Sequence, residues 1–136
     1  MSYGSAAELQ QAVYQALLVD AEVMAKSGGA IYDAVPSGLV PPLYLSLGAE
    51  DATARYDGGG SIARHRVTVS VISDAAGFQA AKLLAAAVCE ALDGSAPALD
   101  HGQVLDLHFE QARARRAGRN RKRRIDLRFA ALVDIA

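Results

Sequence analysis

Three histidines, one cysteine and a dense run of arginines are the side chains most suited to chemistry here, and their spacing narrows what that chemistry is. His65, His101 and His108 invite a metal, yet no Cys or carboxylate stands near them at the separations that zinc sites use. Cys89 lies in an Ala/Leu-rich segment with no cationic neighbour in sequence, which marks it as a small buried hydrophobe rather than a nucleophile. No Gly-x-Ser-x-Gly elbow is present, and Gly58-Gly59-Gly60-Ser61 lacks the lysine that follows a phosphate-cradling loop. Glu50 and Asp51 fall in the same small, acidic stretch and read as solvated carboxylates. These patterns do not point to an enzyme, and they imply no cofactor and no metal.

The cationic run is the strongest signal. Lys and Arg number 14 against 15 acids, a net charge of -1, but the sum conceals two opposed segments. Residues 1–112 hold 5 basic and 13 acidic side chains, whereas residues 113–136 hold 9 and 2. Most of the excess is Arg113, Arg115, Arg116, Arg119, Arg121, Lys122, Arg123 and Arg124. Like charges this close repel one another and raise the free energy of an ordered turn unless counter-charges approach, so phosphates or carboxylates are the expected partners. The run has no aromatic residue on which a base could stack, so any contact with nucleic acid would be to backbone charge, without sequence preference.

The elements that hold these residues follow from periodicity. The chain has 136 residues, 51% apolar and 21% charged, which suits one folded domain over 1–136. Alanine supplies 28 of the apolar residues, there is no Trp and there are three Phe, so the core is thin and burial against other subunits would supplement it. No stretch approaches the roughly 20 apolar residues that span a bilayer, and the N-terminus lacks a basic region followed by an apolar block, so a cytoplasmic protein without a membrane partner is expected.

Ser5-Ala6-Ala7-Glu8 reads as a capping box opening one helix through Leu9, Val13, Leu17 and Met24, stopped by Gly28-Gly29. Residues 31–35 form a short extended run that Pro36 confines to a sheet edge or a loop. A second strand covers 43–47 and closes at Gly48. Residues 49–61, with Glu50, Asp51, Asp57, Gly58, Gly59 and Gly60, lack an apolar period and read as a mobile loop, one that could order only on assembly. The strand at 62–72 separates Val67, Val69 and Val71 from Arg64, Arg66, Thr68 and Ser70. Ser73 or Asp74 caps a second helix carrying Phe78, Ala81, Leu84, Val88 and Leu92, ended by Gly94.

Strands at about 104–112 and 123–135 then pair as a hairpin with the basic run, 113–122, at its tip. The first points Leu105, Leu107 and Phe109 one way and Asp106, His108 and Glu110 the other. The expected fold is α+β, a mainly antiparallel four- to five-stranded sheet with two helices packed on one face. The other face carries Arg64, Arg66, Thr68, Ser70, Asp106, His108, Asp126 and Arg128, and suits solvent, a subunit partner or the wall of an aqueous channel.

Read in order, several stretches resemble the small tail-completion, or tail-terminator, proteins of long-tailed bacteriophages and gene transfer agents. They are residues 9–17 (LQQAVYQAL), 29–36 (GAIYDAVP) and 42–48 (PLYLSLG), then His65-Arg66-Val67-Thr68-Val69, Ser73 and Gly77, and finally Gly118 with residues 123–129 (RRIDLRF). Ile72 stands where relatives often have Trp. The resemblance implies a ring, of six subunits, that caps the finished tail tube and offers its other face to the stopper or connector proteins of the head. It implies assembly in the bacterial cytoplasm and residence at the head–tail junction of the particle. For the basic hairpin it leaves two placements, facing packaged double-stranded DNA or docking on an acidic rim of a neighbouring ring, with Arg64 and Arg66 as further contact residues. A different class, a small nucleic-acid-binding regulator using the Arg-rich hairpin 113–124 as its arm, is the alternative.

Overall fold

Helical and extended segments follow one another as α1 (Ala6–Val19), α2 (Ala21–Ser27), β1 (Ile31–Tyr32), β2 (Leu43–Ala54), β3 (Ile62–Ser73), α3 (Gln79–Leu92), β4 (Gln103–Ala117) and β5 (Lys122–Asp134). This is a computed structural model, in which residues 3–54, 61–118 and 121–135 are described. The strands form a sheet in the order β1-β2-β3-β5-β4, antiparallel throughout except for β1 beside β2. The expected α+β architecture is therefore present, with a third helix.

That third helix comes from Asp20. Its backbone is extended, and its carboxylate accepts from the amides of Glu22 and Val23, so it ends α1 and caps α2 within a single residue. The apolar period runs on across this break and hides it from a reading of periodicity. Gly28, at φ 65°, ends α2 in the left-handed conformation that glycine adopts without a Cβ penalty.

Alternation places Leu45 and Leu47 of β2, Val69 and Val71 of β3 and Ile125, Leu127, Phe129, Ala131 and Val133 of β5 on the face covered by Leu9, Val13, Leu17, Val23, Leu84, Val88 and Leu92 of the helices. A fully buried side chain such as Phe129 contributes about 1.5–3 kcal/mol through the apolar surface it removes from water. Ile72 packs on the opposite face with Ala30 and Tyr44, flanked by Tyr32 and Val40.

Four local expectations are corrected. Ser5 precedes α1 but makes no side-chain cap, because its hydroxyl and the Glu8 carboxylate are both taken by distant partners, His65 and His101. Residues 49–54 are not loop: one extra residue between Leu47 and Glu50 bulges β2, and pairing with β3 resumes from Glu50↔Val67 to Ala54↔Ala63. Asp57, Gly58, Gly59 and Gly60 lie outside the described residues. Ser73 accepts from the Ala75 amide in a local turn, and α3 begins only after Phe78. In β4 a bulge at Leu105 leaves that side chain 45% exposed and hands its inward place to Val104.

Candidate functional site: the basic hairpin and the open sheet face

A second β4 bulge, at Glu110, decides which way the arginines point. Phe109 pairs with Phe129 and Gln111 with Arg128, so the residue between them has no opposite number and the alternation shifts by one. Without that shift Arg113 and Arg115 would continue the inward row of Leu107 and Phe109. With it they join Arg124, Asp126 and Arg128 on the uncovered face, while the small Ala112 and Ala114 turn toward α3.

The ladder continues to Ala117↔Lys122, so most of the predicted tip is strand and the turn itself is short. Gly118 at φ 80° opens it, and Arg121 closes it at φ 52°, a strained value for a non-glycine residue costing roughly 1–2 kcal/mol. Arg119 lies outside the described residues.

Cross-strand pairing sets Arg115 opposite Arg124, a like-charge pair that destabilises a sheet on its own. Asp126 offsets it. Its carboxylate accepts from Ser70 Oγ at 2.6 Å, Arg124 Nε at 2.9 Å and Arg115 Nη2 at 3.3 Å. Burial alone would push this carboxyl up, but the Ser70 and Arg124 hydrogen bonds and the adjacent positive charge outweigh it and hold Asp126 below the usual carboxylate range. Arg124 Nη2 also reaches Ser70 Oγ at 3.1 Å.

The cations thus divide into braces and free charges. Arg123 points to the helix side, stacks 5.6 Å from the Phe78 ring centre and donates to the carbonyls of Ala76 and Arg121, tying the hairpin base to the turn before α3. Lys122 lies 5.6 Å from the Tyr44 ring centre, and Arg66 Nε donates to Glu110 at 3.1 Å. Arg64, Arg113, Arg116, Arg121 and Arg128 are exposed, and their guanidiniums have no protein partner among the described residues. The sequence brought out every one of these arginines but not this division. The anchoring role of Asp126 is the part it missed, since nothing local distinguishes that carboxylate from its neighbours.

Each histidine meets its own carboxylate. His65 is fully buried, with Nε2 3.2 Å from Ser5 Oγ and Nδ1 2.8 Å from Glu50 Oε2, and Tyr3 donates to Glu50 Oε1 at 2.9 Å. The connectivity is that of a serine hydrolase triad, but Ser5 is 2% exposed and its hydroxyl cannot meet a substrate, so the set is a strut between α1, β2 and β3. Glu50 is thereby a strand residue with a partner, not a solvated loop carboxylate. His101 contacts Glu8, and His108 contacts Asp106. Among the described residues no three His, Cys, Asp or Glu side chains gather to hold a metal ion.

The helices cover one sheet face, the other carries the bulge-directed arginine cluster, and the 15-residue β4 lies at one margin. The chain belongs to the tail completion protein gp17 family, whose model matches residues 11–134. It is similar to a chain in the solved structure of the virion of a native gene transfer agent (GTA) particle, at 48% sequence identity and a TM-score of 0.91 over 98% of this chain and 99% of that one. No curated protein matches it. The resemblance drawn from the sequence is borne out, and the role of the family is structural. No helix among the described residues is long and apolar enough to cross a membrane.

Proposed function

We propose that the chain, acting as one domain, is a tail-completion subunit of a gene transfer agent or phage-like particle. Six copies close into a ring that ends the tail tube and meets the stopper protein of the head. The observation that carries this reading is the likeness, over 98% of the chain, to a component of a gene transfer agent virion.

Physical features support it. Among the described residues β4 has no neighbour on its outer side, and at the opposite margin β1 pairs with Leu45 and Ser46 of β2 alone, so both edges keep backbone donors and acceptors for another subunit. Two different edges favour a heterologous contact, and a rotation that closes turns such contacts into a ring. Beside β4 an apolar groove of about 260 Å³, lined by Ala85, Ala86, Cys89, Phe109 and Ala112 among others, adds surface that association would bury. Arg64, Arg113, Arg116, Arg121 and Arg128 supply the free charge of the contact surface, and Arg115, Arg123 and Arg124 brace it. The chain assembles in the bacterial cytoplasm and resides at the head–tail junction.

Removal of the protein from a particle-producing strain tests this. Heads and tails that accumulate unjoined, and a six-fold collar at the junction when the protein is restored, are the expected results. Joined, infective or gene-transferring particles formed without it would overturn the proposal.

A further inference from the structure

On the uncovered sheet face Arg113, Arg115, Arg124 and Arg128 surround Asp126 in a shallow groove of about 370 Å³. Two of the four, Arg115 and Arg124, are oriented by Asp126, which leaves part of each guanidinium fork unused. The other two, Arg113 and Arg128, have no protein partner among the described residues. One carboxylate therefore faces four guanidiniums, and the groove carries a net positive charge that its lining does not neutralise.

We infer that this groove seats the sugar–phosphate backbone of double-stranded DNA. Arg124 and Arg128 are separated by about 13 Å of extended chain, more than one phosphate or carboxylate needs, so the groove suits a polyanion laying several charges across it. The rest of the lining favours nucleic acid over protein. It consists of Thr68, Ser70, Gln111 and Ala49, and hydroxyl and amide side chains beside arginine are the groups that contact phosphate and sugar. The cores of protein interfaces are instead enriched in aromatic residues, and this groove has none. The same lack removes the stacking platform that single strands use, so the duplex is the form recognised, without sequence preference. Asp126 is a positioning residue, fixing two forks so that the seat exists before DNA arrives. The inference rests on the proposed place at the head–tail junction, where packaged DNA would pass the ring, but the groove can be tested apart from it.

The test is fluorescence anisotropy of the full chain with a random-sequence duplex across a salt series, with a charge-matched control. Arg113→Gln with Arg128→Gln removes two charges from the groove; both side chains are exposed and unpaired among the described residues, so the fold is kept, as circular dichroism can verify. Lys26→Glu makes the same net change on α2. Binding by the wild type should weaken linearly on a log–log salt plot; the double variant should bind at least tenfold more weakly near 0.1 M salt, with a slope shallower by about 2. Lys26→Glu should stay within about twofold. Equal binding by the double variant and the wild type, or displacement of the duplex by polyglutamate at equal charge concentration, would overturn the inference, the second outcome pointing to an acidic protein. Subunits that enter particles but do not bind duplex would remove the groove and leave the ring; duplex binding by a chain that never enters particles would do the reverse.

Discussion

Two polar networks occupy opposite faces of the sheet, and they are finished differently. On the helix side buried Ser5 and His65, Glu50 and the exposed Tyr3 form a closed set in which both nitrogens of His65 meet a partner and both oxygens of Glu50 accept. On the open face Asp126 satisfies Ser70 and parts of Arg124 and Arg115, and the surrounding guanidiniums keep donors to spare. A network that closes on itself is there to fix the fold, because an unmade hydrogen bond under the helices would cost the full desolvation of the group. One with donors left over fits the proposal that its partner lies outside the chain.

Substitutions can break or sharpen that contrast. His65→Ala should do the most damage, about 3 kcal/mol of stability read from the urea midpoint, since it empties a buried site and strands Ser5 and Glu50. Asp126→Ala should cost less, about 1–2 kcal/mol, by leaving Arg115 and Arg124 to repel across the strands. A loss from Asp126→Ala equal to that from His65→Ala would erase the distinction between the networks.

Acid separates them further. Asp126 has its pKa lowered in the folded state, so its contribution is present above the unfolded value of about 3.9 and is lost as pH falls through the folded one. Unfolding midpoints measured from pH 6 down to pH 2 should therefore converge for wild type and Asp126→Asn at the acid end and diverge above about pH 4. At the other limit, the hydrogen bond to Glu50 raises the Tyr3 phenol, whose small contribution holds below the ordinary tyrosine value of about 10 and fades as pH rises beyond it. Wild type and Tyr3→Phe should thus differ slightly at pH 7 and merge in strong alkali. The smallest effect belongs to Arg113→Gln with Arg128→Gln, which should leave stability within about 0.5 kcal/mol because neither side chain has a partner among the described residues to lose.

Elements with a regular period were legible in the sequence. The valines of β3, the Ala81–Leu84–Val88–Leu92 stripe of α3, the Gly28 stop and the β4–β5 hairpin all lie where alternation and spacing put them. What escaped depends on partners far along the chain. Ser5 and Glu8 have the composition of a cap, yet His65 and His101 take their side chains, and no local pattern announces a partner 60 or 93 residues away. Bulges at Glu110 and Leu105 shift the alternation by one residue, and only the pairing with β5 reveals them. The polar face was foreseen with Thr68, Ser70, Asp126 and Arg128 on it, but the bulge that adds Arg113 and Arg115 was not. The charge of the candidate site was therefore legible, and its geometry was not.

The central claim is that this chain leaves its sheet margins open because other copies complete them. Native mass spectrometry of the isolated protein, with and without tail tube ends, tests it most directly. The account predicts a species of six times the 14.2 kDa chain mass that forms alone or on the tube. A 14.2 kDa monomer at every concentration, unchanged by tail tubes, would contradict it.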